Sequence, residues 1–263
     1  MSKQQRLNQI LDLLSEDGRV DIEAIVVALD VSPATARRDL NELADRGLVS
    51  RTHGGAVAVG SAYELPLQYK IARNSAEKKL IAAAAAELVA DGAVVGLTGG
   101  TTTSEVARAL GGSPALQGTP SSPGVTIVTN ALNIAYEMAI RPQVKIVLTG
   151  GAARRQSFEL VGPLVEPALA ELVLDWTFLG ADGLHPDYGA TTVHDGEAMV
   201  NRALARAARK VALVVDASKM MQTRLARIVG FGELDLIITD AEPPREIRKA
   251  AEKAAAELVV AGV

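Results

Sequence analysis

The chain has 263 residues, 48% of them hydrophobic, and a formal net charge of −4; this allows a small domain plus a medium one, and excludes general charge-driven attraction to nucleic acid. The absence of cysteine rules out a disulfide framework and thiolate metal sites. No apolar signal segment opens the chain and no run approaches ~18 strongly apolar residues, so a soluble, cytoplasmic protein with no membrane partner is expected.

In chain order, Leu7, Ile10, Leu11 and Leu14 form a helical stripe, and Asp21 is placed to cap a second helix through Leu29. The segment from Val31 to Ala56, VSPATARRDLNELADRGLVSRTHGGA, carries a third. Ser32 is its N-cap, Pro33 suits the first helical position, and Gly47 can take the left-handed conformation that lets Leu48 fold back onto Leu43. On a helical projection Ala36, Leu40 and Leu43 pack, whereas Ala34, Arg37, Arg38, Asn41 and Asp45 face outward. Arginine can bond guanine bidentately and asparagine adenine, and a small Ala34 permits close approach to a base edge. Leu48–Thr52 and Ala56–Val59 can pair around His53, Gly54 and Gly55 as a wing. Three helices and a hairpin predict a winged helix-turn-helix domain over residues 1–57. Its candidate DNA-binding residues are Ser32, Ala34, Thr35, Arg37, Arg38, Asn41, Arg51 and His53. These 57 residues hold nine acidic and seven basic side chains, so charge placement rather than charge sum must direct binding.

Residues 58–75 show neither helical nor strand periodicity and contain Pro66, which marks a connector. Over 76–263 strand and helix patterns alternate. The strand candidates are Ala93–Leu97, Val125–Val128, Val144–Leu148, Trp176–Leu179, Val211–Val215, Leu236–Thr239 and Leu258–Ala261. Helical stretches between most of them predict a larger, Rossmann-like, mostly parallel α/β domain. Gly111–Gly124, rich in turn residues, reads as a flexible surface loop.

The run LTGGTTT, Leu97–Thr103, follows a strand and precedes a helix. Gly99 and Gly100 let backbone N–H groups approach an anion, and the hydroxyls of Thr101 and Thr102 can add bonds at the helix N-terminus. The run is neither a P-loop nor a dinucleotide fingerprint, and no cofactor is implied. Other strand ends carry compatible groups: Thr129 and Asn130, Gly150 and Gly151, Asp182, and Lys219. In parallel sheets ligands gather beyond such ends. Lys219 would counter a phosphate, and Asp182 and Asn130 suit hydroxyls. His185 and His194 lack the spacing of a zinc site.

The N-terminal pattern resembles the DeoR family of bacterial transcriptional regulators. The resemblance rests on Arg6, Ile10 and Leu14, on Thr35, Arg37, Arg38, Asp39 and Leu40, and on Gly47, Arg51, His53, Gly54 and Gly55. Ala36 and Pro33 depart from the family's usual residues. The second domain is similar to the sugar-phosphate isomerase superfamily at Gly100–Thr102, Thr129–Asn130, Gly150–Gly151, Gly180–Gly183 and Asp216–Lys219, and departs from it at Thr98, where many members carry aspartate. The resemblance implies a repressor of carbohydrate genes that binds operator DNA, with a phosphorylated sugar as effector. Duplicated reading heads on symmetric operators imply a homodimer or homotetramer. An alternative is an isomerase-like enzyme with an accessory DNA-binding domain, in which Asp182, Asp187, Asp195, Glu197 or Lys219 would move the proton.

Overall fold

The computed structural model describes residues 1–58, Leu67, 74–119 and 121–262. It comprises two compact units, Met1–Arg73 and Asn74–Val263. Apart from Ala58, Leu67, Asn74 and Ser75, the connector expected over 58–75 lies outside the described residues.

In the first unit, α1 (Lys3–Asp17) opens on a capping box in which the Ser2 hydroxyl accepts from Gln5 N–H and the Gln5 side chain accepts from Ser2 N–H. It is followed by β1 (Arg19–Asp21), α2 (Ile22–Leu29), α3 (Pro33–Asp45), β2 (Val49–Arg51) and β3 (Gly55–Ala58). Leu7, Ile10, Leu11, Leu14, Ile25, Ala36, Leu40 and Leu43 close into a buried core between the three helices. At about 1.5–3 kcal/mol for each large aliphatic side chain, this core is what holds the helices together.

The sheet has three strands in the order β1-β3-β2, both pairings antiparallel. β1 is an addition to the expected hairpin: three residues are too few for alternation to be visible. It also explains why β3 begins at Gly55 rather than Ala56, since Gly55 pairs with Asp21 across the sheet. Asp21 occupies the N-cap position of α2, but its side chain makes no capping bond. Instead Ile22 N–H donates to the carbonyl of Gly54 at 2.9 Å, so the wing turn itself supports the start of α2.

The second unit is built on seven parallel strands ordered β15-β14-β12-β9-β4-β5-β6. These are β4 (Ala93–Leu97), β5 (Val125–Thr129), β6 (Val144–Leu148), β9 (Leu174–Leu179), β12 (Ala208–Val214), β14 (Leu236–Thr239) and β15 (Glu257–Val260), the seven that the apolar runs predict. The connecting helices are α4 (Ser75–Glu87), α5 (Thr101–Gly112), α6 (Leu132–Met138), α7 (Val165–Ala170), α8 (Asp195–Arg206) and α9 (Arg245–Ala254). The chain runs outward from β4 through β5 to β6 and returns beside β4 as β9, which places the topological switch point between β4 and β9. No helix among the described residues is long and apolar enough to cross a membrane.

Short strands escaped the sequence reading. β7 (Ala152–Ala153) and β8 (Leu160–Val161) form a two-stranded hairpin, and β10 (Gly183–His185), β11 (Gly189–Thr192) and β13 (Ala226–Val229) form a separate three-stranded antiparallel sheet. The segment expected as a loop from Gly111 is tied down. α5 runs on to Gly112, Leu116 is fully buried, and Gly118 N–H donates to the Asp91 carboxylate at 3.0 Å.

Gly55 is a position where no side chain fits: an added Cβ would lie 2.0 Å from the Val20 carbonyl oxygen, whereas one at Gly54 would meet nothing within 4 Å. Gly55→Ala is therefore expected to destabilise the first unit by about 1–3 kcal/mol through overpacking against backbone. Gly54→Ala should fall within about 0.5 kcal/mol of the parent. Thermal unfolding of the two variants checks this; equal midpoints would show that β1 does not press on the wing.

Candidate functional site

The outward face of α3 is set by what its rear face is tied to. The Ser32 hydroxyl accepts from Thr35 N–H at 3.2 Å and lies 2.9 Å from the Thr35 hydroxyl, so both residues are engaged in the cap. At the other end Gly47 takes φ +70°, Leu48 N–H donates to Leu43 at 2.9 Å and Gly47 N–H to Ala44 at 2.8 Å, the paired bonds of a Schellman stop. Asp39, fully buried on the rear face, receives two bonds from the Arg6 guanidinium of α1, one through Nε and one from Nη2 at 3.1 Å. Glu42 is held by Lys3 of α1 and by Arg46. The Lys3 hydrogen bond is the main reason its carboxyl sits below the usual range, and burial only partly opposes it.

Two of the helix's carboxylates are thereby drawn away from the outward side. Ala34, Arg37, Arg38 and Asn41 are exposed, and among the described residues the last three make no hydrogen bond or ion pair. Arg51 differs from them: it is half-buried, and its Nη1 donates to the Gly55 carbonyl at 2.7 Å, bracing the wing from within. His53 is exposed in the turn between β2 and β3.

In the second unit all the predicted effector residues lie at the C-terminal ends of parallel strands. Asp182 follows β9, Gly99–Thr102 follow β4, Thr129 and Asn130 end β5, Gly150 and Gly151 follow β6, and Lys219 follows β12. They fall into two kinds. Thr129 is used internally: its buried hydroxyl donates to the Leu97 carbonyl at 2.7 Å and accepts from Ala131 N–H at 3.1 Å, joining β5 to β4. Thr98 plays the matching part at the switch point, accepting from Gly180 N–H at 2.9 Å.

By contrast, Gly100 is the N-cap of α5, and the hydroxyls of Thr101 and Thr102 bond to nothing among the described residues. The helix N-terminus therefore presents free donors to the strand edge. Gly150 and Gly151, which follow β6 two strands from β4 in sheet order, are half-buried. Asp182 accepts from the Thr192 hydroxyl at 2.9 Å. Lys219 is half-buried at the end of the short turn Ala217–Lys219.

Two polar residues of this edge, Arg154 and Glu159, were not found in the sequence. Glu159 is buried, with Oε2 accepting from Asn130 Nδ2 at 3.0 Å. Arg154 donates to Glu197 at 2.9 Å, and Glu197 also lies 3.2 Å from the Thr192 hydroxyl. Arg154 and Glu159 belong to the connection between β7 and β8, far along the chain from Gly99 and Asn130, and no spacing rule links them. Glu159 is brought there by backbone pairing with the residues after β5, where Leu132 N–H donates to the Phe158 carbonyl at 2.9 Å and Leu160 N–H to the Asn130 carbonyl at 2.7 Å.

Burial pushes the Asp216 carboxyl up, but it is outweighed by the Ser218 hydrogen bond, by the charges of Lys219 and Lys78 and by the Asn74 amide, which hold it below the usual carboxylate range. A carboxylate whose folded pKa is lowered stabilises the fold above its unfolded pKa, and that stability is lost as pH falls through the folded value. The second unit should thus lose stability on acidification below about pH 4, and Asp216→Asn should flatten this part of the profile. Chemical unfolding of both proteins at pH 7 and pH 3 measures the difference; identical pH dependence would exclude this role for Asp216.

Comparison with known proteins agrees with this two-part construction. Residues 6–62 match the DeoR-like helix-turn-helix domain, and residues 73–241 match the DeoR C terminal sensor domain. The chain is 36% identical over 256 residues to the HTH-type transcriptional regulator GlpR of Haloferax volcanii, covering 97% of this chain and 96% of that protein. It is 34% identical over 244 residues to the glycerol-3-phosphate regulon repressor of Escherichia coli K12, covering 93% of each. Among solved structures, ribose 5-phosphate isomerase A from Methanocaldococcus jannaschii aligns with a TM-score of 0.41 and 22% identity, over 56% of this chain and 55% of that one. With both domains matched in order and relatives aligned along nearly the whole length, the chain belongs to the DeoR family.

Proposed function

We propose that this DeoR-family protein is a transcriptional repressor of carbohydrate or polyol-phosphate metabolism genes, reading operator DNA through α3 and the wing and responding to a phosphorylated sugar or polyol held at the strand edge of its second unit. The observation that carries the DNA reading is the exposed, unpaired set Arg37, Arg38 and Asn41 on a helix clamped from behind. Arg37 and Arg38 supply bidentate donors, Asn41 matches adenine, and Ala34 allows the helix to approach. Ser32 and Thr35, already engaged in the cap, would donate to phosphate oxygens through the hydroxyl proton their mutual bond leaves over or through backbone N–H groups, and His53 would meet the backbone from the wing. Arg51 serves chiefly to brace that wing. With an acidic chain overall, affinity rests on this small set, and a homodimer or homotetramer would double it on a symmetric operator.

The effector reading rests on the free donors at Gly99–Thr102, with Lys219, Asp182, Asn130 and the Gly150–Gly151 turn along the same edge. The name of the Escherichia coli relative, a glycerol-3-phosphate regulon repressor, agrees with a small phosphate ester. Such a ligand regulates only if it binds more tightly to one of two arrangements of the protein.

Arg38→Ala should weaken operator binding by about 1–3 kcal/mol and relax specificity at one base pair; equal affinity at matched salt would remove Arg38 from base contact. Thr101→Val and Lys219→Ala should abolish the response of the operator complex to phosphate esters, with binding in their absence kept within about twofold. Electrophoretic or fluorescence titration of operator DNA with and without ester reads both, and a full response in both variants would reject the effector edge.

A further inference from the structure

The second unit begins at Asn74, whose side chain is bonded not to its own helix but to a residue 142 positions away. The Asn74 backbone takes φ +48° and ψ 42°, a left-handed conformation that asparagine tolerates better than most residues. Asn74 occupies the N-cap position of α4 yet makes no side-chain capping bond; its Nδ2 instead donates to Asp216 Oδ1 at 3.0 Å. The acceptor is a carboxylate, so the amide can face it only with its nitrogen. One helical turn further, on the same side of α4, Lys78 is buried, and its charge acts on the same carboxylate.

Asp216 is itself buried, and it receives a second set of bonds from the turn it opens. Its Oδ1 also accepts from Ser218 N–H at 3.1 Å and from the Ser218 hydroxyl, and its backbone carbonyl accepts from Lys219 N–H at 3.0 Å. The charge of Lys219 bears on its carboxylate as well. One oxygen therefore joins the start of α4 to the turn that presents Lys219. An anion that engages Lys219 competes with Asp216 for that charge.

We infer that the Asn74–Asp216 bond is a positioning joint through which occupancy of the strand edge is passed to the point where the chain enters the second unit, and so along the chain to the operator-reading unit. The inference rests on the effector reading given above and adds the residues that carry its regulation. A phosphate that draws Lys219 to itself takes from Asp216 one of the two lysine charges acting on it. The hold of that carboxylate on Asn74 then differs between the empty and the occupied protein. A bond equally strong in both states, or absent from both, cannot bias either. Removing the Asn74 amide should therefore uncouple ester binding from operator binding without abolishing either one.

The test measures operator affinity of the full-length protein by fluorescence titration, without ester and with saturating sn-glycerol 3-phosphate, ribose 5-phosphate or fructose 6-phosphate, and measures ester binding by calorimetry. At least one ester should change the operator affinity of the parent by about fivefold or more, the lower end of ordinary allosteric coupling. Asn74→Gly keeps the left-handed backbone and an acceptable N-cap while deleting the amide. Because Asn74 is exposed and lies outside the proposed ligand contacts, this variant should bind the ester within about threefold of the parent. Its change in operator affinity should nonetheless fall to about twofold or less. Asn74→Asp, which sets carboxylate against carboxylate at the same contact, should show the same loss and provides the reading if the glycine variant does not fold. A parent-like change in operator affinity in either folded variant overturns the joint while leaving the effector site standing. Ester binding weakened beyond threefold in both variants assigns Asn74 to the pocket itself and also overturns the joint. A parent whose operator affinity none of the three esters moves overturns the effector reading, and this inference with it.

Discussion

Seven strands running in one direction impose a single constraint on the second unit: each must hand over to its helix or loop at the same edge. Every polar or glycine-rich transition is therefore delivered to one line of the molecule, however far apart the residues are in the chain. At the β4/β9 switch the connections beyond the two neighbouring strands lead to opposite halves of the sheet, and Thr98 ties the two strand ends together, its N–H donating to the Phe178 carbonyl and its hydroxyl accepting from Gly180 N–H. The helix that follows β4 leaves this switch point with its N-terminal donors free. Site and fold are thus one consequence of strand direction, and residues such as Thr129 serve the edge by fastening β5 to β4 rather than by facing a ligand.

The winged unit solves a different problem, that of presenting cations from an acidic chain. Its remedy is geometric. Asp39 is turned inward to Arg6 and Glu42 sideways to Lys3 and Arg46, while Arg37 and Arg38 are left with no internal partner. The sum of charges on the unit says little about the field at its outward face, because opposite charges that are paired at contact distance largely cancel beyond a Debye length.

Much of this was legible in the sequence, and the reasons can be named. The seven sheet strands were readable because buried parallel strands are continuous apolar runs. The limits of α3 were readable because Ser32, Pro33 and Gly47 act within one turn of where they stand. The outward set on α3 followed from helical spacing alone. What stayed hidden depends on contacts between distant segments. β1 is three residues whose partner lies over thirty positions away. Arg6 and Asp39 could each be noted as a family match, but nothing in either position says that one bonds the other. Glu159 was invisible for the same reason, since its meaning comes from Asn130 and Gly99 and not from its neighbours in the chain.

The Schellman stop at Gly47 and Leu48 leaves no free residue between helix and wing, for β2 begins at Val49. The chain turns from α3 into the hairpin through a single left-handed residue whose neighbours are hydrogen-bonded on both sides. Helix and wing are accordingly one preorganised body, and the backbone entropy of arranging them is lost during folding rather than at the encounter with DNA. What remains to be ordered on binding is a few long side chains, so the free energy of each base contact is not eroded by having to assemble the surface that makes it.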